Sequence, residues 1–80
     1  MIQYATQYQF GGKTLLTNVD EKTLHRLSGL AIEYQVLVRS GGKKAINEAR
    51  AFFSGFVEHM ILSNIVTEDE GEDLITFFLD

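Results

Sequence analysis

Apolar and polar side chains alternate along the first ten residues of the chain. A strand here would carry Ile2, Tyr4, Thr6, Tyr8 and Phe10 on one side and Gln3, Ala5, Gln7 and Gln9 on the other. A period of two with aromatic and β-branched residues is typical of a half-buried β-strand. Gly11-Gly12 suits a two-residue turn, and the segment KTLLT after it would form the second strand. We therefore predict a β-hairpin over residues 1–17 in which Tyr8 faces Leu15. In the same register Thr6 faces Thr17.

The apolar spacing becomes helical after residue 17. Steps of three and four residues define one apolar seam, formed by Leu24, Leu27, Ala31, Tyr34 and Val38. This spacing predicts a first helix over residues 18–40. Asn18 is the predicted N-cap, with Glu21 completing a capping box. Gly41 is the predicted end, because a left-handed glycine commonly terminates a helix.

A second helix, over residues 43–65, has an unusually broad apolar face. Its seam is Ile46, Ala49, Phe53, Phe56 and Met60, and it is widened by Ala45, Phe52, Val57 and Ile61. A helix that is apolar over most of its circumference is buried on several sides. We therefore expect a homo-oligomer. The expected interface comprises Phe52, Phe53, Gly55, Phe56 and Met60, where the mid-helix glycine would allow close approach of a second helix.

The last segment is acidic and then apolar. Thr67 and Glu70 have capping-box spacing, and further acids follow in the first turn. The stretch LITFFL is compatible with a strand or a helix, and the capped start favours a helix over residues 67–80. The predicted fold is a single α+β domain: an N-terminal β-hairpin, an antiparallel helical hairpin and a short acidic C-terminal helix, mostly helical.

Charge is distributed unevenly along the 80 residues, whose net charge is −4. Residues 1–50 contain all seven lysines and arginines, whereas residues 51–80 contain seven acids and no base. This asymmetry indicates a charged partner or self-association. Alternatively, the acidic end folds back on the basic turn. The absence of cysteine excludes disulfides and thiolate zinc sites, and with no apolar run of membrane-spanning length the expected location is cytoplasmic.

Basic residues surround the predicted turn between the two long helices. Gly41 and Gly42 lie between Arg39 and the pair Lys43-Lys44, but the glycine spacing of a phosphate-binding loop is absent. One interpretation is a plain helix–helix turn with solvated lysines. The other is an anion site at the start of the second helix. In an oligomer, this site would comprise Tyr34, Arg39, Lys43, Lys44 and Arg50, with the tyrosine stacking on a base.

Catalytic and metal-binding chemistry have little support in the sequence. Glu21 and His25 share a helix face and could supply half of a metal site, but no residues at ligand spacing complete it. The serines lie outside any nucleophile motif. We therefore expect no enzyme activity, no metal and no cofactor.

The function that we expect from the sequence is binding. The leading hypothesis is a small accessory or antagonist protein, of a build common in phages and mobile elements, that acts on a partner protein as a homo-oligomer. Its expected partner surface comprises Glu68, Asp69, Glu72, Phe77 and Leu79, in which acids flank apolar anchors. The alternative is an oligomer that sequesters an anionic nucleotide at the basic turn. A DNA-binding regulator is the third option, although the acidic end makes nucleic acid an unfavourable partner.

Overall fold

The computed structural model describes residues 6–80, so the predicted strand residues 2–5 lie outside the described part of the chain. Two antiparallel strands are followed by three helices, which confirms the predicted α+β, mostly helical fold. The strands are β1, Thr6–Phe10, and β2, Lys13–Thr17. The helices are α1, Glu21–Ser40, α2, Lys43–Leu62, and α3, Glu68–Leu79.

The hairpin has the predicted register. Tyr8 pairs with Leu15, and Thr6 pairs with Thr17. Gly11 and Gly12 have φ angles of 57° and 77°, the positive values that a two-residue turn between right-twisted strands requires. The hairpin buries Tyr8 against α1 and α3.

The first helix begins three residues later than predicted, because its N-cap is Asp20 and not Asn18. The Thr17 hydroxyl accepts a hydrogen bond from the Val19 N–H at 3.1 Å, and Val19 enters the core before the helix starts. The Asp20 carboxylate then accepts hydrogen bonds from the hydroxyl and the backbone N–H of Thr23, at 2.6 and 3.1 Å. Both bonds, the hydroxyl one foremost, lower the pKa of Asp20 below its usual value.

The end of α1 also differs from the prediction in its backbone conformation. Gly41 is the C-cap, but its φ of −93° and ψ of 167° are extended and not left-handed. Its N–H donates to the Leu37 carbonyl at 2.6 Å. A Cβ at this position would lie 2.9 Å from the same oxygen, so glycine is favoured here by lack of space.

The second helix is shorter than predicted and the third agrees with its prediction. α2 ends at Leu62 because Asn64 adopts a left-handed conformation, with φ of 59°, and reverses the chain. α3 begins with the predicted capping box: Thr67 Oγ1 accepts from the Glu70 N–H, and Glu70 Oε1 accepts from the Thr67 N–H.

The core lies on one side of the α1–α2 pair, which we call the covered face. α3 and the hairpin pack on this side, and the α1 and α2 residues that they bury are Leu24, Leu27, Ala31, Phe53, Val57 and Met60. Phe78 of α3 contacts both α2 and the hairpin, since its ring lies 5.8 Å from that of Phe53 and 5.1 Å from that of Phe10. The other side of the pair, which we call the open face, contains residues of α1 and α2 that neither α3 nor the hairpin covers.

Candidate functional site

A groove between α2 and α3 combines an apolar floor with an acidic rim. We call it the acidic groove; its volume is about 310 Å³ and it is lined by Ser54, Val57, Glu58, Ile61, Leu62, Glu68, Gly71, Glu72 and Ile75. The two helices that form it pack closely. A Cβ at Gly71 would lie 2.8 Å from Ile61 Cδ1 and 3.1 Å from Val57 Cγ1, so only glycine lets α3 approach this closely without displacing a side chain.

The rim of the acidic groove is negative and open to solvent. Glu58, Glu68 and Glu72 are all exposed, and none of them forms an ion pair with another described residue. Leu62 lies at the same edge and is 75% exposed, which is a large exposure for a leucine. The groove therefore places apolar surface next to negative charge that has no ion-pair partner in the described chain.

The predicted partner surface is divided by the helical geometry of α3. Glu68, Asp69 and Glu72 are exposed. Phe77 is only 9% exposed, because it lies on the side of α3 that faces the core. The centroid of its ring is 4.9 Å from that of Phe78, and Lys13 Nζ lies 5.5 Å from the centroid of the Phe77 ring. Leu79 is half-buried in the same cluster. The apolar surface beside Glu68 and Glu72 is instead provided by Leu62 and by the floor of the acidic groove, which Asp69 does not line.

The predicted oligomer interface is also divided. Phe53 and Met60 lie in the core of the single chain, at 0% and 2% exposure. Part of the broad apolar face of α2 is thus explained by α3, which packs on it. Phe52 and Gly55 remain exposed and Phe56 is half-buried, so these three residues are accessible to a second molecule.

The basic residues of the turn do not converge within one chain. Arg50 contacts the Tyr34 hydroxyl at 3.4 Å and Asp80 Oδ1 at 3.3 Å, and these two contacts raise its pKa above the usual value. Lys43 is seven residues from Arg50, about 10 Å along the helix axis.

Arg39, Lys43 and Lys44 are exposed at the α1–α2 connection. The contact of Asp80 with Arg50 is the one ion pair that joins the acidic end to the basic segment among residues 6–80. Among the described residues, the acidic end therefore forms a single ion pair with the basic segment, away from the lysines of the turn.

A polar cluster that the sequence analysis did not identify joins the hairpin to α1. The Tyr8 hydroxyl donates to Ser28 Oγ at 3.0 Å and lies 3.2 Å from His25 Nδ1. Ser28 in turn donates to the His25 carbonyl oxygen. The sequence contained one signal of this cluster: Tyr8 lies on the inward side of the predicted strand, and His25 and Ser28 lie next to the apolar seam of the first helix. The cluster satisfies buried polar groups, and His25 reaches only Glu21 beyond it, at 3.9 Å.

Clustered metal ligands and membrane-spanning helices are absent from the described residues 6–80. No group of three or more histidine, aspartate or glutamate side chains there is arranged to hold a metal ion. None of the described helices is long and apolar enough to cross a bilayer. Comparison with protein-family models, curated proteins and solved structures finds no match to this chain.

Proposed function

We propose that this protein is a non-enzymatic accessory or antagonist protein, which binds a basic and partly apolar segment of another protein in the acidic groove. The observation that carries the proposal is the combination of an apolar floor with three exposed glutamates that lack an ion-pair partner in the described chain. A partner that supplies lysine or arginine to the rim and a large apolar side chain to the floor satisfies both features.

The two parts of the groove contribute differently to binding. Burial of Leu62 and of the floor against an apolar anchor would provide most of the affinity, since the centres of interfaces are apolar and desolvated. The rim glutamates would accelerate encounter with a basic segment and discriminate against acidic ones. Because these carboxylates are exposed, we expect binding to weaken as salt is added.

The test is a selection of randomised displayed peptides on the immobilised protein. We expect the enriched peptides to combine lysine or arginine with leucine, phenylalanine or another large apolar residue. Synthetic copies of them should bind the Glu68→Gln/Glu72→Gln variant about two- to thirtyfold more weakly than the wild type, because two exposed charge contacts of about 0.2–1 kcal/mol each are lost.

The matched control is Glu33→Gln/Glu48→Gln, which removes the same charge from the open face. This control should bind the selected peptides as the wild type does. Enrichment of peptides without basic residues, or equal loss of binding in the two variants, would contradict the proposal.

The other hypotheses from the sequence predict different outcomes. An oligomer that sequesters an anionic nucleotide would carry extra mass in native mass spectrometry of protein purified gently from expressing cells. That mass would be absent from the Lys43→Glu/Lys44→Glu variant and retained in Glu68→Gln/Glu72→Gln. A DNA-binding regulator would bind duplex DNA with an affinity that falls steeply with salt.

A further inference from the structure

The open face of the α1–α2 pair carries an apolar strip with opposite charges at its two ends. Leu30, Leu37 and Phe52 line the strip at the end near the α1–α2 connection, together with Glu33 and Glu48. At the other end Phe56 and Ile65 are accompanied by Lys22, Arg26 and His59. Within the described part of the chain, neither the two glutamates nor Lys22 and Arg26 form an ion pair.

This charge arrangement is self-complementary for one orientation of a second copy. Consider a two-fold axis that lies in the plane of the open face and runs perpendicular to the helices. It places a second copy on this face with each helix antiparallel to the same helix of the first copy. Arg26 then lies opposite Glu33 of the second copy, and Glu48 lies opposite its His59. A two-fold axis along the strip would instead place Glu33 opposite Glu48 of the second copy, and like charges opposed at an interface are strongly unfavourable.

The position of the axis follows independently from each helix. Midway between Arg26 and Glu33 lie Gly29 and Leu30, and midway between Glu48 and His59 lie Phe53 and Ser54. Because Leu30 and Phe52 line the same pocket, these two midpoints lie at nearly the same height. The Arg26–Glu33 pair and the Glu48–His59 pair therefore indicate one axis.

The most exposed phenylalanine and a glycine are related by this axis. Phe52 is 67% exposed, and Gly55 is equally far from the midpoint on the other side. The axis thus places Phe52 over Gly55 of the second copy. A Cβ at Gly55 would meet nothing within 4 Å in its own chain, although glycine within a helix costs about 1 kcal/mol relative to alanine. Gly29 likewise has open space at its Cβ position.

The available area is sufficient for a dimer. Each 20-residue helix is about 30 Å long and about 10 Å across, so the open face covers about 600 Å². Both midpoints fall within about one residue of the middle of their helices, so two copies overlap along nearly the whole face. About 1,200 Å² would then be buried in total, which is the lower end of the range for specific, stable interfaces.

We propose that the open face is the interface of a two-fold symmetric homodimer, in which the α1–α2 pairs of two copies form an antiparallel four-helix layer. Phe52 of each copy packs on Gly55 of the other, and Arg26 pairs with Glu33 across both ends. This interface lies opposite the acidic groove, so it does not rest on the proposed function and leaves that groove free in each copy.

Sedimentation equilibrium over a range of protein concentrations tests the dimer. We expect a mass twice that of the 9.0-kDa chain at high concentration. Arg26→Glu and Glu33→Arg should each raise the dimer dissociation constant at least about tenfold, because the symmetry repeats each repulsion. Both side chains are exposed and make no ion pair in the described chain, so both variants should fold normally by circular dichroism.

Restoration of the dimer is the decisive measurement. The double variant Arg26→Glu/Glu33→Arg should dimerise again, since the symmetry exchanges both charges at once. An equimolar mixture of the two single variants, one of them labelled with ¹⁵N, should give mainly the mixed dimer in native mass spectrometry. The matched control, Glu72→Arg in the acidic groove, should remain dimeric.

Two results would overturn the proposal. One is a wild-type chain that stays monomeric over the whole concentration range. The other is a dimer that persists unchanged in both single charge reversals and in Gly55→Val, because such a dimer would use another face.

Discussion

The two faces of the α1–α2 pair have similar hydrophobic spacing but opposite exposure. Phe53, on the covered face, is completely buried, whereas Phe52, on the open face, is 67% exposed. The two faces differ in their charges. The α1 and α2 residues that line the core are uncharged, whereas the open face carries Arg26, Glu33 and Glu48 among its apolar residues. This mixture of apolar and charged residues on the open face is the feature on which the proposed dimer rests.

The covered face depends on α3. This helix has 12 residues and is about 18 Å long, compared with about 30 Å for α1 and α2. Its contacts with α2 extend from Gly71, which packs on Ile61, to the C-cap residue Asp80, which contacts Arg50. It ends there, and Val38, which lies farther along α1, is more than half exposed.

Truncation of the two adjacent phenylalanines should give the largest contrast. Phe53→Ala should lower the free energy of unfolding by about 3–5 kcal/mol, because it leaves a cavity between α1, α2 and α3. A chain of this length has a total stability of about 4–12 kcal/mol, so much of this variant should be unfolded. Phe52→Ala should change the free energy by no more than about 0.5 kcal/mol in dilute solution. Urea denaturation followed by circular dichroism measures both. Equal losses in the two variants would remove the distinction between the faces.

Valine substitution of two helical glycines should also lower the free energy of unfolding unequally, with a smaller difference than between the two phenylalanine variants. Gly71→Val should cost about 1–3 kcal/mol of unfolding free energy, because the new side chain collides with Val57 and Ile61. Gly55→Val should have an effect within about 0.5 kcal/mol, since its Cβ meets open space. Thermal unfolding at low protein concentration compares them. A Gly71→Val variant as stable as the wild type would mean that α3 does not pack closely on α2.

Removal of the cap of α3 should weaken the covering helix moderately. Thr67→Ala removes the hydroxyl that accepts the Glu70 N–H and should lower the free energy of unfolding by about 1 kcal/mol. Thr76→Ala is the control, because Thr76 is exposed within the same helix and does not cap it. Denaturation curves for the two variants should differ by that amount, and coincident curves would contradict the role of the cap.

Loss of the ion pair at the end of α3 should have the smallest effect. Asp80→Asn removes the charge that faces Arg50, but both side chains are substantially exposed, so we expect a loss of no more than about 0.5 kcal/mol that disappears in high salt. Asp73→Asn, at an exposed acid of the same helix that has no ion pair in the described chain, is the matched control. A large loss with Asp80→Asn that persists in high salt would show that this contact contributes more than a surface pair.

The sequence predicted local structure most accurately where the local signal was complete. Gly11-Gly12 between alternating segments gave the hairpin register, and Thr67 with Glu70 gave the start of α3. The start of α1 was placed wrongly because two residues, Asn18 and Asp20, can each cap a helix. Burial of Val19, which is a tertiary contact, decided in favour of the second.

The candidate sites were less predictable for the same reason. Spacing alone placed Phe52, Phe53 and Met60 on one broad apolar face, and spacing alone cannot show which part of that face α3 occupies. Phe77 resembled a surface anchor because acids precede it, but it turns into the core on the inner side of its helix. The acidic groove joins residues of two helices, so no contiguous pattern marks it.

The sequence by itself determined the type and order of the first four elements, the hairpin register and the acidic, capped start of α3, but it left LITFFL open between a strand and a helix. These properties arise from periodicity, turn residues and capping groups, which act over a few neighbouring residues. Only the tertiary structure decided which apolar face is covered, which glutamates border an apolar groove and that Arg50 is held by Tyr34 and Asp80. Each of these depends on the approach of elements far apart in the chain, and that approach is determined by the length and packing of α3.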